Sequence, residues 1–245
     1  MLLLIAATSL ETRALRQQMQ LDPASAEQSY RGQTAAGHET CLLHTGMGPA
    51  STAISLTRAL ERVRPAAVLM VGCGGSYPGS GLDTGALALA SEEIFGDLGT
   101  ITPEGFLPLE NMAIPATPPP VQRILLQSEL LQATSELLAR AAKTDAKQFR
   151  CGPFVTVSTC SGTPRLSAEL EKRTAGICES MEGASAAQAC ACYQVPFLEL
   201  RGISNPTGSR DPAQWDIEHG SATAQWGLTQ ILDNWSMLET CLCNN

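Results

Sequence analysis

The chain has 245 residues, enough to bury about 70–75 % of the surface it would expose unfolded, so one large core needs no disulfide or metal staple. Sixteen Lys and Arg against twenty-four Asp and Glu leave a net charge of -8, a field that repels nucleic-acid phosphates and anionic membranes and argues against either as a partner. Nine cysteines, odd in number, scattered and mostly set in apolar runs, read as free thiols in a reducing cytoplasm.

The first apolar run, residues 1–7, lacks a basic segment and is too short for a secretion signal, so it reads as a strand. No stretch approaches the roughly 18 uncharged apolar residues of a membrane span. Further short β-like runs follow at 39–43, 67–71, 87–90, 154–157, 176–178 and 197–200. Helical patterns lie between them. Pro49 opens one at a favourable first-turn position, Ile54, Leu56, Leu60 and Val63 supply its apolar face, and Pro65 stops it; others cover 128–143, 164–173, 184–193 and 216–238. The proline patch at 115–120 reads as a long loop rather than a boundary, so the expectation is one domain over residues 1–245. Alternating strands and helices predict the α/β class, with a central mixed, largely parallel twisted sheet flanked by helices. In such sheets ligands sit beyond the carboxyl ends of the strands, which directs attention to the residues that follow each run.

Gly72-Cys73-Gly74-Gly75-Ser76 follows one of these strands, where backbone amides can approach a ligand closely or simply make a tight turn. It is not a dinucleotide fingerprint, because Tyr77 stands where the third glycine would be. His38, His44 and His219 have no His or Cys at zinc spacing, and the Cys190/Cys192 and Cys241/Cys243 pairs are C-x-C, so neither a metal nor a cofactor is expected. Three carboxylates or amides remain after strands: Glu11, Glu182 and Asn205. Singly each is an ordinary solvated or helix-terminal side chain, and Glu11 at a helix start would favour the helix dipole anyway.

Together they form a pattern. Met181-Glu182-Gly183-Ala184 opens a helix of small residues, and about twenty residues later a strand ends in Arg201-Gly-Ile-Ser204-Asn205. This resembles the nucleoside phosphorylase and nucleosidase superfamily, in which a Met-Glu turn holds the ribose and the Arg-x-x-Ser-Asp/Asn strand end holds the base. The resemblance extends over the first strand with Glu11, over His44-Thr-Gly-Met-Gly48, over the Gly72 segment and over the strand running to Ser158. Within the superfamily, Phe95-Gly-Asp97-Leu-Gly99, Thr102-Pro-Glu-Gly-Phe106 and the run from Arg201 through Arg210-Asp211 to Trp215-Asp-Ile217 are similar to the futalosine hydrolases, which act in an alternative route to menaquinone.

The resemblance implies site roles. Glu11 is the carboxylate that activates water, Met181 and Glu182 hold the ribose, and Asn205, Gly74 and Ser158 meet the base. The Asn205 amide, with acceptor and donor side by side, suits hypoxanthine; an aspartic acid at this place suits adenine. Asp211 is a proton shuttle, a cap of the following helix or a partner of Arg210. Arg210 and Phe106 are candidates for the substrate's carboxylate-bearing tail, a group that a guanidinium can meet with two hydrogen bonds. The superfamily forms homo-oligomers, and residues 96–120 are a candidate for the subunit contact or a lid. Three competing functions remain: a phosphorylase, disfavoured by Met70 where an arginine would bind phosphate; a purine-binding protein without catalysis; and a methylthioadenosine or adenosylhomocysteine nucleosidase, disfavoured by Asn205.

Overall fold

The strands form where β-branched and aliphatic residues alternate between two buried faces. The computed structural model describes residues 1–21, 29–113, 115, 121–126 and 128–242; most of the proline patch and Cys243 lie outside the described residues. The strands are β1 (Leu2–Ala6), β2 (Gln20–Leu21), β3 (Ser29–Gln33), β4 (Glu39–His44), β5 (Val68–Ser76), β6 (Leu87–Phe95), β7 (Gly99–Thr102), β8 (Gly105–Pro108), β9 (Arg123–Leu125), β10 (Phe149–Thr156), β11 (Cys178–Ser180) and β12 (Phe197–Pro206). The helices are α1 (Arg13–Gln18), α2 (Pro49–Leu60), α3 (Glu129–Thr144), α4 (Pro164–Thr174), α5 (Gly183–Tyr193), α6 (Ile217–Asp233) and α7 (Trp235–Leu238).

The expected α/β class with a mixed sheet holds. The pairings β1 with β4, β1 with β5, β5 with β12, β6 with β10 and β10 with β11 are parallel, and β12 with β6, β3 with β4 and β5 with β11 are antiparallel. One feature goes beyond an open sheet. The far end of β5 pairs with β11 while its body pairs with β12, so β5, β12, β6, β10 and β11 close on one another in a ring. Closure draws the carboxyl ends of β5, β11 and β12 together. Leu4, Leu69 and Leu200 face α3 and α6, whereas Leu3, Ile5, Val68 and Met70 face α2 and α5. Burying apolar area on both faces stabilises the sheet by about 25 cal/mol per Å².

Several helix starts follow from sequence. Ser128, Thr163 and Asp216 accept hydrogen bonds from the backbone N–H three residues on, and Pro49 and Pro164 occupy first turns. The helix expected over 216–238 is two helices, because Asn234 caps α6 with non-helical geometry.

The glycine segment after Val71 departs from the expected turn. It is extended strand, in register with Arg201 through Pro206 of β12. The reason is space: a Cβ on Gly72 would lie 2.5 Å from Arg201 Nη1 and 2.6 Å from Glu11 Oε1, and one on Gly74 would collide with Cys178 Sγ. Glycine here admits charged side chains beside the strand.

Candidate active site

The ring's converging strand ends enclose a cavity of about 340 Å³, a size suited to a small-molecule ligand. Glu11, Gly74, Met181, Glu182, Asn205 and Arg210 all line it, although they come from widely separated parts of the chain.

Glu11 sits in a 3-10 turn just after β1 and is 7 % exposed. Its Oε2 accepts from Thr8 N (2.8 Å) and Thr8 Oγ1 (3.0 Å), and its Oε1 accepts from Cys73 N (3.0 Å). Three donors therefore fix a buried carboxylate at the cavity wall, as a general base requires. Glu182 stands at the N-terminal boundary of α5; its side chain turns away from the helix, and its Oε1 accepts from Gly48 N at 2.9 Å, where a φ of +88° favours glycine.

Arg201 joins these two groups from beneath. Its Nη2 donates to Glu182 Oε2 (3.1 Å), its Nε to Glu199 Oε1 (2.7 Å), its Nη1 to Cys73 O (3.0 Å), and Nη1 lies 3.9 Å from Glu11 Oε1. Burial works against the guanidinium charge, but Glu199, Glu182 and Glu11 together raise its pKa well above the ordinary value. Arg201 is a permanent buried cation holding three carboxylates in place. A fourth carboxyl, Glu93, is fully buried beside Glu199, and a Cβ on Gly183 would collide with both. Burial, and then the charge of Glu199, push the Glu93 pKa well above its usual range. The Cys73 thiol in the wall is pushed up to about 11 by burial and stays neutral.

At the opposite side, the single O–H of Ser204 is shared between Asn205 Oδ1 (2.8 Å) and Gly74 O (3.2 Å), and Asn205 Nδ2 donates to Pro206 O (3.0 Å). Toward solvent, the Arg210 guanidinium lies 4.3 Å over the Trp215 ring, and both residues line the opening.

Three expected site residues lie elsewhere. Ser158 is exposed, and its backbone N donates to Asp97 Oδ2 at 2.6 Å; Cys160 and Ser161 from the same segment reach the cavity instead. Phe106 belongs to the β7–β8 hairpin, where Arg173 covers its ring at 3.8 Å. Asp211 is exposed and caps the short helix Pro212–Gln214 by accepting from Ala213 N at 3.0 Å, the capping alternative rather than the proton shuttle. The sequence reading missed Glu93, Glu179 and Glu199. Their signal was a charge inside an otherwise apolar strand, which a buried position tolerates only with partners. Among the described residues no group of three His, Cys, Asp or Glu is arranged to hold a metal.

The profile of the Phosphorylase superfamily matches residues 2–232. A futalosine hydrolase of Streptomyces coelicolor is 36 % identical over 203 residues, spanning 79 % of this chain and 80 % of the relative. A futalosine hydrolase of Thermus thermophilus is 32 % identical over 190 residues, spanning 78 % and 80 %. Among solved structures, the 5'-methylthioadenosine/S-adenosylhomocysteine nucleosidase of Neisseria meningitidis superposes with a TM-score of 0.79 at 21 % identity, covering 95 % of this chain and 98 % of that one. With a profile match over nearly the whole chain and these two relatives above 30 %, the chain belongs to the phosphorylase superfamily and, within it, to the futalosine hydrolase family.

Proposed function

We propose that the chain hydrolyses the N-ribosidic bond of futalosine, releasing hypoxanthine and dehypoxanthine futalosine in the alternative route to menaquinone. The observation that carries this is Glu11: a carboxylate fixed at the cavity wall by Thr8 and Cys73, on the framework shared with relatives named futalosine hydrolase.

Cleavage builds positive charge on the ribose and negative charge on the leaving base. Glu11 takes a proton from water as its oxygen attacks the anomeric carbon, while Glu182 accepts hydrogen bonds from the ribose hydroxyls and Met181 packs on the sugar face. As the C–N bond breaks, N7 of the leaving base takes a proton from solvent water; Asn205 donates its NH₂ to O6 and accepts the new N7–H with its carbonyl. Water is favoured over phosphate by the electrostatics. Of the cavity's two arginines, Arg201 is engaged by Glu182 and Glu199 and Arg210 lies at the rim, while Met70 is buried in the core. Among the described residues lining the cavity, the arginine nearest Glu11 is Arg201, already engaged, so a phosphate there would face a carboxylate.

The closing partner is a second copy of the chain. Met47, Ile54 and Ile101 are 70 %, 61 % and 79 % exposed around α2, the cavity mouth and the β7–β8 hairpin, a distribution suited to a subunit contact. Free cysteines among the described residues suit the cytoplasm, where we place the enzyme. The test incubates purified protein with futalosine and follows hypoxanthine, with and without phosphate. Release independent of phosphate is expected. A phosphate requirement, or faster release of adenine from methylthioadenosine, overturns the reading.

A further inference from the structure

A second cavity, of about 330 Å³, lies between β3, β4 and α2 and shares no lining residue with the first. Its position follows from strand register. Ser29 and Arg31 of β3 stand opposite Leu43 and Cys41 of β4. Opposed residues on an antiparallel pair point to the same face, so Arg31 rises on the face where Cys41 and Leu43 pack against α2. From the helix, Arg58 and Arg62 line the same cavity, and all three arginines are exposed.

The charge of this cavity runs against that of the chain. The whole protein carries a net charge of -8, yet among the described residues lining the cavity there is no Asp or Glu. Arg58 and Arg62 are one helical turn apart, where like charges repel, and among the described residues neither forms an ion pair. The acid nearest them in sequence, Glu61, accepts from Tyr193 Oη of α5 instead. The neutral polar groups of the wall have partners: Ser55 Oγ donates to Thr45 O (2.9 Å), and His44 Nε2 shares a hydrogen bond with Thr12 Oγ1 (2.8 Å). Leu43, Ala59 and Val63, all half-buried, give the cavity an apolar side.

We propose that this cavity is a second ligand site, for a small amphipathic anion. Its oxyanion head, a carboxylate or a phosphate, lies between Arg58 and Arg62, and its apolar body lies against Leu43, Ala59 and Val63. Side chains one helical turn apart start about 5–6 Å from one another, so two guanidiniums there can close on one head, a geometry that suits carboxylate and phosphate alike. Arg31 adds positive charge from the strand side. The cavity has the size of a small-molecule site, and its combination of an apolar wall with a few convergent charged groups is that of such sites. The inference stands apart from the nucleosidase reading and does not depend on it.

The test measures, by titration calorimetry on the full chain, the affinities of hexanoate, hexyl phosphate, hexanol and inorganic phosphate. At least one of the two amphipathic anions should bind about tenfold or more tightly than both hexanol, which lacks the charge, and inorganic phosphate, which lacks the body. The tighter of the two identifies the head. Replacing both helix arginines, Arg58→Gln with Arg62→Gln, should weaken that anion by about tenfold or more and leave hexanol and the melting temperature unchanged, since both side chains are exposed. Arg210→Ala, at the rim of the first cavity, should leave the anion's affinity as in wild type. Hexanol binding as tightly as the anions, inorganic phosphate matching hexyl phosphate, or affinity lost with Arg210 rather than with Arg58 and Arg62 each overturns the proposal. Should the double variant fail to fold, the order of the four probes on wild type and on Arg210→Ala decides.

Discussion

The two ends of the cavity are built differently. At the inner end Glu11 and Glu182 follow strand ends and Arg201 stands within β12; all three are almost completely buried and are tied to one another and to backbone groups. At the outer end Arg210 and Trp215 stand on the loop between β12 and α6, with Arg210 exposed and held mainly by its stack on the indole. Bond cleavage needs groups fixed to within a fraction of an ångström, and rigid strands supply that. Recognition of a tail tolerates a looser wall. On the function proposed above, the inner end carries the chemistry of ribose and base, and the outer end meets the carboxylate-bearing tail.

The largest effect should come from the inner end. Glu11→Gln keeps the size and an acceptor for Thr8 or Cys73 but removes the base, so kcat on futalosine should fall by about a hundred- to ten-thousand-fold. KM should stay near the wild-type value, because Glu182 and Asn205 remain. Steady-state kinetics with hypoxanthine detection checks this, and a variant that loses KM rather than kcat would place Glu11 in binding instead.

The buried charge of the inner end also has a pH signature. Glu93 has a folded-state pKa raised well above its ordinary 4.5, first by burial and then by Glu199. Between those two values the folded protein holds a proton that the unfolded chain releases, so this contribution to stability is complete below about 4.5 and is lost as pH rises through the folded value. Glu93→Gln replaces that proton by an amide and should flatten the decline: its melting temperature relative to wild type should rise from pH 5 to pH 9. Parallel melting curves across that range would show that Glu93 is ionised in the folded protein.

The same contrast explains what the sequence disclosed. Strands such as 2–6 and 197–200 were legible because their apolar residues serve both faces of a sheet, and Glu11, Met181, Glu182 and Asn205 stood out because they follow apolar runs in a pattern that resembles the superfamily's; all four line the cavity. The closure of β5 onto β11 was not, since a three-residue strand carries too little periodicity to reveal its partner. Nor was the extended form of the Gly72 segment, where glycine signals close approach and turn alike until Arg201 and Glu11 are seen beside it. Ser158 and Phe106 were misplaced for a related reason: in loops a neighbouring contact, to Asp97 or Arg173, decides which way a residue faces.

The smallest effect should come from the outer end. Arg210 is exposed, so its hydrogen bonds to a substrate carboxylate compete with water, and their loss is worth about the 1.4 kcal/mol of a tenfold change. Arg210→Ala should raise KM for futalosine by about tenfold while leaving kcat, and the hydrolysis of inosine, which lacks the carboxylate, unchanged. Stacking on Trp215 presets the guanidinium plane, so Trp215→Ala should raise KM for futalosine in the same direction by a smaller factor. If Arg210→Ala slowed inosine and futalosine equally, Arg210 would belong to the rigid end of the cavity, and the division between a chemical end and a recognising end would fail.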